Sequence, residues 1–175
     1  SNLSREEMVI KVRKSPQMSG AFLSEEVTTP EKYVVSPKGE KKFTVAAIDL
    51  GIKGATPRSM AERGMQVHVF PINTPLDKLL SINPDGIFLS NGPGDPATMT
   101  ETVAMVREIL SRKIPLFGIC FGHQIIGRAL GFETFKLPFG HRGINQPVKN
   151  LQNGKVEITA HNHGFAVDAP LEGNF

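Results

Sequence analysis

The sequence predicts an α/β protein of three layers, with a mostly parallel central sheet and a short helical segment ahead of it. Three observations carry that expectation. Apolar runs of strand length alternate with helix-length stretches from Phe43 to Leu130, glycine-rich loops follow the first and third runs, and the fourth run turns abruptly into a helix through Gly118-Ile119-Cys120-Phe121-Gly122. Regular strand and helix alternation implies parallel pairing, because each strand must be carried back across the sheet before the next begins.

Taken in order, Ser4 and Glu7 have the spacing of a capping box, and Met8, Val9 and Val12 continue a helix to about Lys14 before Pro16 stops it. A second short helix is expected over Ala21 to Val27. Thr28 to Lys42, rich in proline, lysine and glycine, reads as a connector. Residues 1–42 are therefore expected to form a helical segment and connector, and residues 43–175 the α/β domain. Within it, strands are expected at Phe43 to Asp49, Val67 to Phe70, Gly86 to Ser90 and Pro115 to Ile119. Helices are expected near Thr56 to Arg63, Leu76 to Ser81 and Phe121 to Leu130, with another opened by a Thr98–Glu101 capping box and running to about Arg112. After Gly131 the period becomes β-like, giving short strands at Phe132 to Leu137, Val156 to Ala160 and Phe165 to Asp168.

Cys120, the single cysteine, lies on the strand-to-helix turn with a glycine two residues away on each side. Such a turn raises the side chain above the sheet edge, and the first amides of the new helix point at the sulfur, which is expected to lower the thiol pKa. A free cysteine also packs well as a small core residue, but core packing requires neither glycine. Ligands of open parallel sheets bind beyond the carboxyl ends of the strands. Three loops meet that description: Gly51-Ile52-Lys53-Gly54, Asn91-Gly92-Pro93-Gly94-Asp95-Pro96 and the Cys120 turn. Acyl transfer through a thiolate needs donors for the oxyanion, and the amides of Phe121 and Gly92 are the expected pair. The alternative for Asn91 to Pro96 is an ordinary surface turn.

Other chemistries fit poorly. Gly51 to Gly54 lacks the Gly-Lys-Ser/Thr ending of a Walker A loop and the glycine spacing of a dinucleotide site. Lys53 is either a solvated lysine or a tether for the loops of the site. His68 is expected to point outward on its strand, and His123 suits a supporting role. His161-Asn162-His163 puts two imidazoles on one strand face, but no third ligand stands at metal spacing, so no metal is expected. His163 as the base for Cys120 depends on proximity. A net charge of +3 from 20 basic and 17 acidic residues, with no tryptophan and one tyrosine, gives no concentrated basic face for nucleic acid. One cysteine, no membrane-length apolar run and no leader point to a cytoplasmic protein with no membrane association.

Four segments together carry a resemblance. Gly118-Ile119-Cys120-Phe121-Gly122-His123-Gln124, Ser90 to Pro96, Phe139-Gly140-His141-Arg142-Gly143-Ile144-Asn145-Gln146-Pro147-Val148 and Asn162-His163-Gly164-Phe165-Ala166-Val167-Asp168 resemble the class I glutamine amidotransferase domain of carbamoyl phosphate synthetase small chains. The resemblance implies a flavodoxin-like fold and glutamine hydrolysis through a glutamyl thioester on Cys120. It implies ammonia transfer to a large synthetase subunit, which uses ATP and a metal to make carbamoyl phosphate for arginine and pyrimidine synthesis. No cofactor is implied for this chain. Carried over by motif, Gly92, Gly94, Phe121, Gln124, Asn162, Gly164 and Phe165 line the glutamine pocket, with Gly92 and Phe121 as the oxyanion hole and Lys53 as a supporting residue.

The chain departs from that pattern in four places. A His-x-Glu pair that supplies the family's base and its orienting carboxylate does not occur before Phe175, and the N-terminal domain that adds a serine to the pocket is absent. Ala55 stands where the family has asparagine, and Phe121 where leucine is usual. The 175-residue chain is accordingly expected to be a piece truncated at both ends and a poor glutaminase by itself. The glutaminase of another class I amidotransferase and a non-catalytic interaction module are the competing readings.

Overall fold

The computed structural model describes residues 3–169. A five-stranded sheet occupies the centre: β1 (Tyr33–Val35), β2 (Phe43–Asp49), β3 (Met65–Pro71), β4 (Gly86–Leu89) and β5 (Leu116–Gly118), in the order β1-β3-β2-β4-β5. β2, β3, β4 and β5 pair in parallel, and β1 lies antiparallel along β3. The chain steps from β2 to β3 on one side and returns to place β4 on the other. Loops leaving the carboxyl ends of β2 and β4 therefore part at a switch point, where this topology opens a crevice.

Alternation along β2 divides the core. Ala46 and Ile48 face a layer formed by α4 (Leu76–Leu80), α5 (Thr100–Ser111) and α6 (Phe121–Ala129), whose Leu79, Val106, Ile109 and Ile125 are fully buried. Ala47 faces the opposite side with Val67, Val69 and Phe88, against which Met60 of α3 (Ala55–Ala61) packs. The three-layer expectation holds, and it follows from period-two alternation on central strands meeting helices on both faces. α1 (Arg5–Arg13) forms as expected, its capping box closed by Ser4 N–H to Glu7 at 2.7 Å and Glu7 N–H to Ser4 Oγ at 3.2 Å.

The structure corrects several expectations. The second helix shrinks to α2 (Ser24–Val27). The connector contains β1, three residues between Pro30 and Pro37 and too short to carry a periodic signal. β1 covers β3 where His68 was expected to face solvent: Val34 stands opposite His68, whose Nδ1 is buried with no partner among the described residues. Burial pushes the His68 imidazole pKa down, helped by Lys32 and Lys41. The Thr98–Glu101 capping box does not form. Asp95 instead caps a 3-10 turn at Pro96–Thr98, accepting from Ala97 N–H at 2.8 Å, while the Thr98 hydroxyl donates back to the Asp95 carbonyl at 2.7 Å. Helix α5 consequently begins at Thr100, with no side-chain cap.

The largest difference follows α6. In place of three short strands, β6 (Glu133–Lys149) and β7 (Val156–Asp168) form one long antiparallel ribbon. Pro138, Gly140, Gly143 and Pro147 punctuate β6 and break its sequence pattern. The ribbon absorbs them in two irregularities, between Lys136 and His141 and between Gly143 and Gln146. Its base docks on α6, where Phe132 N–H donates to the Gly127 carbonyl at 3.0 Å and Arg128 Nη1 donates to Thr134 Oγ1 at 3.0 Å.

Candidate active site

Cys120 sits between β5 and α6 with φ 52° and ψ −105°. A non-glycine residue held there stores strain of about 1–3 kcal/mol, and neighbouring contacts must over-determine it. They do: Gly122 N–H donates to the carbonyls of Ser90 (3.1 Å) and Ile119 (3.0 Å), Ile119 N–H donates to Leu89 (3.1 Å), and Gln124 N–H donates to Cys120 itself (3.0 Å). The sharp strand-to-helix turn that the two glycines predicted is present.

Around the half-buried sulfur lies a cavity of about 880 Å³ that gathers all three predicted loops. Lys53, Gly92, Gly94, Phe121, Gln124, Asn162, Gly164 and Phe165 all line it, so every residue named for the site from the sequence reaches the same space as Cys120. The structure refines how several of them arrive. Gln124 is buried, and its Nε2 is committed to the Phe165 carbonyl at 2.8 Å, holding β7 against α6. Asn162 presents its backbone to the sulfur: the Cys120 S–H donates to its carbonyl at 3.8 Å. Lys53 is exposed, and its positive charge favours the thiolate.

The thiol itself corrects an expectation. Burial pushes its pKa up from the ordinary value, and the Phe121 N–H and the Lys53 charge, which pull it down, do not overcome that. Desolvation of a charged sulfur outweighs one helix-terminal amide and one distant cation. His163 is not placed as the base either. Its Nδ1 donates to the Phe165 carbonyl at 2.7 Å, and its Nε2 turns toward His141 and His161.

Further residues hold the loops around the cavity in shape. Asp49, buried at the end of β2, accepts from Gly51 N–H (2.8 Å) and Ile52 N–H (2.7 Å) with one oxygen and from Thr29 N–H (2.8 Å) with the other. That shapes the first loop and ties the connector to it. An aspartate two residues before Gly51 is the signal of an Asx turn, and it was readable. Asn91 Nδ2 donates to the Gly51 carbonyl at 3.1 Å, joining the first loop to the second. The segment ahead of the sheet is bound there too, through Gly20 N–H to Asp95 (2.8 Å) and Ser24 Oγ to the Pro93 carbonyl (2.8 Å).

Ser90 is fully buried, accepts from Leu50 N–H at 2.9 Å and donates to the Asn91 carbonyl at 2.8 Å. Ser90→Ala leaves the Leu50 amide without its acceptor, and the expected loss of stability is about 1–3 kcal/mol. Equilibrium urea unfolding measures it as a lower midpoint at unchanged slope.

The two amides expected to hold an oxyanion stand differently. Among the described residues the Gly92 N–H meets no acceptor, and the Phe121 N–H is directed at the sulfur. Gly92 also presses against the end of β2, where an added Cβ would stand 2.0 Å from the Leu50 carbonyl oxygen.

Comparison with known proteins identifies the family. The sequence profile described as "Glutamine amidotransferase class-I" matches residues 46–175. The chain belongs to the class-I glutamine amidotransferase family. Among relatives of this amidotransferase chain, the carbamoyl phosphate synthase small chain of Streptomyces avermitilis is 64% identical over 165 residues, covering 94% of this chain and 43% of its own length. That of Bifidobacterium longum is 56% identical over 171 residues, covering 95% and 42%. The amidotransferase chain thus spans less than half the length of these curated relatives. Its fold matches a putative GMP synthase protein from Thermoplasma acidophilum (TM-score 0.61, 19% identity, 74% of this chain and 69% of that one). It also matches a glutamine amidotransferase from Thermotoga maritima (TM-score 0.53, 18% identity, 74% and 64%). Among the described residues no helix is long and apolar enough to cross a membrane.

Proposed function

We propose that this amidotransferase chain carries the glutamine-hydrolysing centre of a carbamoyl phosphate synthase and delivers ammonia to a large synthetase subunit in the cytoplasm. The observation that carries the reading is the strained Cys120 elbow, facing one cavity with the unpartnered amide of Gly92 and the amide of Phe121 that is directed at the sulfur. In the reaction, Cys120 Sγ attacks the side-chain amide carbon of glutamine. The oxyanion is held by the two amides, the C–N bond breaks to release ammonia, and water then cleaves the thioester to glutamate. Gly94 and Gly164 let backbone approach the substrate, and Asn162 and Phe165 close the ribbon side. Gln124 supports that side through the Phe165 carbonyl.

A proton must still reach the departing ammonia. Among the described residues no imidazole hydrogen-bonds the sulfur, whose partner is the Asn162 carbonyl. We therefore assign the general acid and base to a part of the protein outside residues 3–169. ATP, the metal that accompanies it and the steps toward arginine and pyrimidines belong to the partner subunit in this reading.

An electrophilic glutamine analogue incubated with the intact protein tests it. Modification is expected at Cys120 alone, slowed by glutamine, with a rate that climbs about tenfold per pH unit until it passes the ordinary thiol range, because burial keeps the sulfur protonated at neutral pH. Absence of labelling, or labelling that glutamine does not slow, supports the non-catalytic module instead.

A further inference from the structure

The β6–β7 ribbon brings three histidines together beside the cavity. His141 stands directly opposite His163 in the antiparallel register, and His161 lies two residues along β7 on the same face. The sequence displayed only the His161 and His163 pair, twenty residues away from the third member, so nothing in its spacing announced a ligand set.

The ring nitrogens converge. His163 Nε2 lies 3.2 Å from His141 Nδ1 and 3.3 Å from His161 Nδ1, and one nitrogen from each ring falls within 4.8 Å of the others. Hydrogen bonding alone accounts poorly for that. His163 Nδ1 faces the Phe165 carbonyl, which can only accept, so the proton of the neutral ring is on Nδ1 and Nε2 offers one lone pair. Two imidazole nitrogens compete for that single in-plane lone pair. A cation satisfies all three lone pairs at once.

The separations also suit one. Two nitrogens bound at about 2.0–2.1 Å to a tetrahedral ion lie about 3.3 Å apart, as two of these pairs already do. The remaining pair lies within 4.8 Å and closes by a small turn of the exposed His141 ring. The bond from His163 Nδ1–H to a backbone carbonyl is the outer support that fixes tautomer and ring plane in histidine metal sites. Three neutral imidazoles select a borderline first-row ion over Mg²⁺ or Ca²⁺, which take oxygen ligands.

We propose that His141, His161 and His163 bind one divalent transition-metal ion of the zinc class through Nδ1, Nδ1 and Nε2, with a fourth position left for water. His161 and His163 line the cavity that holds Cys120, so the ion sits on the rim of the glutamine site and pins β6 to β7 there.

Titration of the intact protein with Co²⁺ alone, in a Cys120→Ser background that removes the thiol as a competing ligand, tests the site. One ion per chain is expected, with the intense visible bands of a four-coordinate centre, displaced by Zn²⁺ and untouched by Mg²⁺. His141→Gln and His161→Gln should each weaken binding by roughly tenfold or more. His123→Gln, an exposed position on α6, should leave it unchanged. Where a variant fails to fold, the Cys120→Ser protein decides: Zn²⁺ should shift the ring-proton resonances of His141, His161 and His163 and leave those of His68 and His123 in place. Absence of a one-to-one complex, bands that survive both substitutions, or resonances that do not move overturns the proposal.

Discussion

Cys120→Ser should remove glutamine hydrolysis from the intact protein, with kcat falling by roughly four orders of magnitude or more. The substitution leaves the elbow intact, since φ 52° and ψ −105° are imposed by the bonds of Ile119, Gly122 and Gln124 to the surrounding backbone. What changes is ionisation. The thiol pKa is already pushed up by burial, yet the Phe121 amide and Lys53 still favour the anion. A hydroxyl starts several units higher and gains little from the same two groups. Substrate binding depends on loops that the change does not touch, so KM should move far less than kcat. Glutamate release in the steady state measures the first, and thermal unfolding checks that the variant is folded. Activity within about tenfold of the parent would show that Cys120 is not the nucleophile.

Much of the cavity end of the sheet was legible in the sequence for one physical reason: parallel sheets place their ligand loops at the strand ends, and glycine marks where backbone must come close. The loops at Gly51 to Gly54, Asn91 to Pro96 and Cys120 share one cavity, as that rule requires. What stayed hidden depended on long-range pairing. β1 is three residues long and exists because β3 offers it an edge. The ribbon was read as three strands because Pro138 and Gly140 interrupt any local pattern, whereas pairing with β7 resumes on either side of them, at Lys136 with Phe165 and at His141 with His163. Local reasoning failed the other way at Thr98: a capping-box spacing was present, but Asp95 two residues before Ala97 won the competition to close the turn. The thiol shift was missed because the helix end is visible in sequence and the burial that opposes it is not.

Gly122→Ala is expected to lower stability by about 2–4 kcal/mol and to abolish the site with it. An added Cβ would stand 2.4 Å from the Leu89 carbonyl oxygen and 2.7 Å from the Leu89 Cβ. Leu89 cannot move aside, because it is fully buried in β4, which pairs with β2 on one side and β5 on the other. The helix must retreat instead. That stretches the Gly122 N–H bond to Ser90 and draws buried Phe121 and Ile125 out of the core. Alanine is the better helix former by about 1 kcal/mol, which the clash exceeds. Gly131→Ala provides the comparison: among the described residues nothing lies within 4 Å of its added Cβ, and its φ of 98° opposes the change, for about 1 kcal/mol. Urea midpoints at constant slope should therefore fall well below the parent for Gly122→Ala and only slightly for Gly131→Ala. Glutamine hydrolysis by the intact protein should be lost in the first and kept in the second. Equal midpoints would mean that close approach of α6 to β4 does not hold Cys120 in place.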